Sequence, residues 1–123
     1  MANPNDVARA KAGDKNLRKA DLSGANLREA HLNGANLNGA NLRKADLTLA
    51  NLTRADVGLT DLREANLTGA DLTGADLRVA YARGANLRGA VLTGADLRET
   101  IYDNTTKWPD RFDPVAAGAT KVD

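Results

Sequence analysis

From Leu17 to Leu97 one position recurs every five residues, and a period of five excludes both ordinary regular elements. Of these 17 central positions 15 are Leu, the exceptions being Val57 and Ala82. Two residues earlier stands Ala, replaced only by Lys15 and Thr60. On an α-helix five residues turn about 500°, so successive leucines drift about 140° and smear around the axis. On a continuous strand the side-chain period is two, so an odd repeat sends every second Leu to the opposite face. Neither element buries this pattern.

A short extended piece followed by a bend does. In each Ala-x-Leu unit, Ala and Leu point the same way and the residue between them points out. That middle residue is Asp or Asn in 14 of the 17 repeats, the exceptions being His31, Tyr81 and Val91. The two residues after Leu must then turn the chain so that the next Ala-x-Leu also faces inward. Gly fills the second turn position in 8 repeats: Gly24, Gly34, Gly39, Gly69, Gly74, Gly84, Gly89 and Gly94. A type II β-turn needs a positive φ at that position, where Gly is the least strained residue. Repeated bends of one sense coil the chain around a narrow interior of stacked Leu and Ala.

The A-[D/N]-L-x-x run, spanning Lys15 to about Tyr102, resembles the pentapeptide-repeat family, in particular its small cyanobacterial-type members. The resemblance implies an all-β solenoid: a right-handed quadrilateral β-helix with four repeats, or twenty residues, per coil. On that rule the chain makes a little over four coils, a rod about 20 Å long at ordinary strand spacing. The expected organisation is a capping helix over residues 1–14, the β-helix over 15–102 and a C-terminal cap over 103–123.

A stacked coil exposes apolar layers and unpaired edges at both ends, so lids are expected there. Asn3-Pro4-Asn5-Asp6 reads as a helix start, with Gly13 as its stop. A helix from about Pro4 to Ala12 would lay Val7 over the first coil. At the other end Tyr102, Trp108 and Phe112, three of the four aromatic residues, gather within eleven residues. They are expected to plug the rod over Leu92 and Leu97. Asp113-Pro114 resembles a second helix start, ended by Gly118.

Candidate chemistry is sparse. The chain has no cysteine, which excludes disulfides, thiolate metal sites and thiol catalysis. His31 is the only histidine and occupies an outward position beside Asn51, Asp71 and Val91, with no partner for acid–base work. Ser23, the only serine, stands in a turn with no base in reach. No phosphate-binding GxxxxGK[ST] loop occurs, and the Asp residues do not form a clustered calcium loop. We expect no enzyme activity, no cofactor and no metal. No apolar run approaches membrane-spanning length, and a cytoplasmic location is expected.

Columns of residues twenty apart say more. One reads Ser23, Arg43, Arg63, Arg83, an arginine row suited to an anion or a nucleic-acid phosphate backbone. Another reads Lys19, Gly39, Leu59, Val79, Glu99, in which Leu59 and Val79 are expected to be exposed neighbours. With Tyr81 around the corner and Arg83 beyond it, they form a candidate partner surface. Ala82, in place of an inward Leu, is expected to leave one layer underpacked unless neighbours lean in.

The leading expectation is a non-catalytic scaffold or regulatory rod that binds a protein partner, itself a monomer or weak homodimer. The alternative is phosphate-backbone binding through Arg43, Arg63 and Arg83. Some proteins of the resembled family mimic DNA and inhibit DNA gyrase, but those rods are strongly acidic. Here residues 15–102 carry 12 basic and 10 acidic residues.

Overall fold

The computed structural model describes residues 2–123. Its organising feature is a ladder with a stride of twenty residues. Parallel bridges join Asn16 to Asn36, Asp21 to Asn41, and so on through Tyr81 to Ile101. Twenty residues hold four pentapeptides, so each coil has four faces and four corners. Between two corners there is room for a single bridging residue, so most faces carry isolated bridges in place of long strands. Named strands occur at Ile101–Tyr102 (β1) and Thr120–Lys121 (β2), paired in parallel.

Every corner has the same construction. At all 17 corners the Ala-position N–H donates to the Leu-position carbonyl three residues back, at 2.9–3.3 Å. At all 17 the second turn residue has a positive φ, between 54° and 73°. The bend expected at the glycines therefore extends to nine non-glycine corners, Leu49, Leu59 and the β-branched Val79 among them. Left-handed backbone costs an L-residue about 1–2 kcal/mol, so these corners are held by the ladder on either side.

The outward Asp and Asn are structural. In 13 of the 14 repeats that carry them, the side-chain oxygen accepts the N–H of the first turn residue. Such Asx turns satisfy a backbone donor that the ladder leaves out. At Thr48, Thr53, Thr68 and Thr73 the hydroxyl donates to the same oxygen. His31, Tyr81 and Val91 have no oxygen for this task.

The interior is the expected stack, with the repeat-centre leucines from Leu17 through Leu87 at most 1% exposed. Thr60 replaces an inward Ala without penalty, because its hydroxyl donates to the Leu37 carbonyl at 2.8 Å. Thr100 and Thr106 repeat the device on the carbonyls of Leu77 and Ala82.

At the front a helix spans Pro4–Lys11 (α1), capped by the Asn3 side chain on the N–H groups of Asn5 and Asp6. Val7 packs against the core and Ala10 is fully buried. Asn3 N–H bonds the Asp21 carbonyl, and the Asp6 carboxylate accepts the Asp21 N–H, so α1 is tied to the first coil through both backbone groups of Asp21.

The back end differs from expectation in three ways. First, the ladder continues past residue 102: Asn86 bridges Lys107, and β2 pairs with β1. Second, no helix follows Asp113-Pro114. Ala117 bonds Asp113 and Ala119 bonds Pro114, after which Gly118, at φ 94°, sends the chain straight into β2. One turn is all the intervening length allows. Third, the aromatics begin over the Ala82 column, earlier in the coil than Leu92 and Leu97. The bridges place Tyr102 above Ala82 and put Trp108 next to the Lys107 rung above Leu87. Tyr102 meets Trp108 edge-on at 5.3 Å, and Trp108 stacks on Phe112 at 5.3 Å. Ala82, only 1% exposed, thus lies beneath Tyr102 in one column, where its small side chain leaves room for the ring.

Candidate partner-binding surface

At four corners the side chains follow one packing rule along the rod: a long residue leans toward the following coil, where a glycine gives it room. Lys19 lies over Gly39, Leu49 over Gly69, Arg54 over Gly74 and Glu64 over Gly84. The column Leu59, Val79, Glu99 breaks this rule, with three side chains in succession and no glycine to receive any of them. Ladder bonds are correspondingly long here, 3.2 Å from both Leu59 and Val79. Gly58 relieves the crowding from below. A Cβ there would lie 3.1 Å from both the Asn38 amide and the Asp56 carboxylate.

Leu59 is 49% exposed, whereas Val79 is half-buried, against the expectation that both stand free. The lean of the corner side chains carries Leu59 toward Val79 and covers part of it. Together they line a groove of about 400 Å³ with Asn38, Gly58, Asp76, Arg78, Arg98 and Glu99. Its polar wall is ion-paired: Arg78 pairs with Asp76 at 2.8 Å and Arg98 with Asp96 at 2.6 Å. The Arg98 hydrogen bonds hold the Asp96 carboxyl down at about 2. The Asp76 carboxyl is lowered chiefly by its bond from Arg78.

The four residues expected to form one surface divide between two hollows. Tyr81, 40% exposed, and Arg83 line a second groove of about 520 Å³ with Asp61, Arg63, Ile101 and Val122. The tail thus contributes to this surface through the residues just after β2, which the repeat pattern could not foretell. Three further exposed apolar residues, Leu49, Val91 and Val115, line neither hollow.

The arginine row is neutralised residue by residue. Arg63 grips Asp61 through two hydrogen bonds, at 2.9 and 2.7 Å. Arg83 faces Asp103 at 3.5 Å and Arg43 faces Glu64 at 3.7 Å. Asp61 is held below its usual range, first by the Arg63 bond. The row is a ladder of ion pairs with a carboxylate for each guanidinium.

The remaining candidates carry structural duties. The Ser23 hydroxyl donates to Asp21 at 2.8 Å, and His31 bridges Asn51 on an exposed face. Among the described residues no group of three acidic or histidine side chains is placed to hold a metal ion, and no helix is long and apolar enough to cross a membrane.

Coils of four pentapeptides with this interior define a class. The family model for pentapeptide repeats matches residues 16–54, 45–78 and 60–99. The chain belongs to the pentapeptide-repeat family. It is 34% identical to a pentapeptide repeat protein of Nostoc PCC 7120, over 98% of this chain and 96% of that one, with a TM-score of 0.47. It is 31% identical to HetL of Nostoc PCC 7120, a pentapeptide repeat protein involved in regulating heterocyst differentiation. That match covers 85% of this chain and 56% of HetL, at a TM-score of 0.65, so the chain spans little more than half of HetL's length. A pentapeptide repeat protein of the Arabidopsis thaliana thylakoid lumen is 26% identical, over 84% of this chain and 74% of that one, with a TM-score of 0.49. No curated protein sequence matches the chain.

Proposed function

We propose that the protein is a non-catalytic rod, right-handed and a little over four coils long, that binds a protein partner through its Leu59–Val79 corner. The observation that carries this reading is the strained backbone at that corner. Leu59 and Val79 stand in successive coils at φ 54° and 60°, where glycine or a polar chain serves at most other corners. A β-branched residue in that region is an outlier, held here by the ladder on either side, and such an outlier is a pointer to a functional site. The two side chains form a partly exposed aliphatic strip beside ion pairs, which suits an apolar contact edged by polar groups.

Two observations support the absence of catalysis: His31 stands alone on an exposed face, and the Ser23 hydroxyl is spent on the Asp21 turn. Nucleic-acid binding through Arg43, Arg63 and Arg83 is the weaker reading, because releasing those arginines would leave Glu64, Asp61 and Asp103 against the phosphates. Mimicry of acidic DNA is weaker again, given the near balance of charge along the rod. The test is retention of a partner by the immobilised rod. Leu59→Asp with Val79→Asp should abolish retention; a partner held equally well by the double variant would remove the proposal.

A further inference from the structure

The sequence contains two Asn-Gly pairs, Asn33-Gly34 and Asn38-Gly39, at consecutive corners of the first coils. We propose that Asn33 is a site of spontaneous deamidation and that Asn38 is protected. In this reaction the Gly34 amide nitrogen attacks the Asn33 side-chain carbonyl carbon, a C–N bond forms and ammonia leaves. Water then opens the resulting succinimide, giving either an ordinary aspartyl or an isoaspartyl linkage at that position. Water is the sole co-reactant.

The nucleophiles do not separate the two sites. Gly34 N–H donates to the Thr53 carbonyl at 2.9 Å, and Gly39 N–H to the Gly58 carbonyl at 3.1 Å. Either corner must open before attack, and the ladder slows both. The difference lies in the asparagines and their surroundings.

Asn38 is half-buried and held twice. Its backbone N–H is capped by the Asn36 side chain at 2.9 Å, and its own amide points to the Asp56 carboxylate at 3.5 Å. The Lys19 stem covers Gly39, with its Cγ 3.4 Å from where a Cβ would be. Asn33 is exposed, and nothing stands within 4 Å of the corresponding point on Gly34. The residue two before Asn33 is His31, which has no Asx oxygen, so this corner has no cap. The Lys15 ammonium lies 3.5 Å from the Asn33 side-chain carbonyl oxygen. A cation there polarises the carbonyl and favours the oxyanion formed on attack. Among the corners without an Asx cap, those that follow Asn16, His31, Tyr81 and Val91, only the one after His31 carries Asn-Gly.

The product alters the contact. The aspartyl product would set a carboxylate against the Lys15 ammonium, tying the entry segment to the first coil by an ion pair. The isoaspartyl form adds a methylene to the backbone of a turn that has no slack, and the Gly34 rung is then lost.

Both asparagines fall in one tryptic peptide, bounded by Arg28 and Arg43, so each is an internal control for the other. Folded protein is aged at mildly alkaline pH and the peptide is sequenced by tandem mass spectrometry, with isoaspartyl methyltransferase labelling as a second readout. Mass gain of one dalton should accumulate at Asn33 about sevenfold faster than at Asn38, the factor that a unit charge at this distance contributes in water. His31→Asn, which restores the cap, and Lys15→Met, which removes the cation, should each slow the reaction at Asn33 while thermal melting confirms the fold. Equal rates at the two asparagines, or no change in either variant, would overturn the assignment.

Discussion

Ala82→Leu gives a prediction whose sign depends on the packing account. Ala82 stands in a column between Leu62 and Tyr102, fixed by the bridges from Asp61 to Tyr81 and from Tyr81 to Ile101. Were the layer underpacked, as the repeat pattern suggests, a leucine would restore the consensus. Its three added carbons would gain up to about 2 kcal/mol at about 0.8 kcal/mol each. In the structure that space belongs to the Tyr102 ring, which is 5% exposed and wedged edge-on against Trp108. Extra methylenes in a filled core instead cost about 1–3 kcal/mol. Urea denaturation of the wild type and Ala82→Leu separates the two cases, with the midpoint expected to fall at unchanged slope. Adding Tyr102→Leu should return part of the loss, with a coupling of about 0.5–3 kcal/mol in the double-mutant cycle. An Ala82→Leu protein more stable than the wild type would refute the reasoning.

Three further outcomes are expected. Leu67→Ala, at a fully buried mid-rod position, should cost about 2–5 kcal/mol by denaturant melting, and a loss below about 1 kcal/mol would remove Leu67 from the core. Gly69→Ala should cost at least about 1 kcal/mol, because φ is 68° and the added Cβ would lie 2.8 Å from Leu49 Cδ2; a neutral result would contradict the corner packing rule. Acid should destabilise the rod. Asp46, Asp61, Asp71, Asp76 and Asp96 have carboxyls lowered on folding, by Thr48, Arg63, Thr73, Arg78 and Arg98 respectively, so the folded state binds fewer protons than the unfolded one. Their contribution is complete above the unfolded value of about 4 and is lost as pH falls toward 2. Thermal melting between pH 5 and pH 2 should show a steady decline, and a flat profile would count against these bonds.

Much of this fold is legible because period five admits few solutions. Once helix and strand are excluded, a bend after every Leu follows, and the glycines mark where it falls. The Asx oxygens were visible as a preference for Asp and Asn, but their task was not. A side chain pointing outward reads as solvation until the uncapped N–H beside it is seen. The exit from the repeat was harder. Tyr102 sits in the Leu frame, but the six-residue step to Lys107 and the return of Thr120 onto Ile101 leave no periodic trace. The candidate surface was half-readable for the same reason. Leu59 and Val79 follow from the twenty-residue column, whereas the Ile101–Val122 wall beside Tyr81 depends on where the tail lands. The ion pairs that neutralise Arg83 and Arg43 cross between coils, to Asp103 and Glu64, and such pairing is set by side-chain reach.

The central claim concerns where a partner touches the rod, and site-specific photocrosslinking tests it most directly. A photoreactive side chain at Leu59 is compared with the same group at Leu49. Leu49 has the same left-handed backbone, lies two corners around the coil and is 54% exposed against 49%. The account predicts a crosslinked partner from position 59 and none from position 49. Equal crosslinking from both positions, or crosslinking from 49 alone, would contradict it.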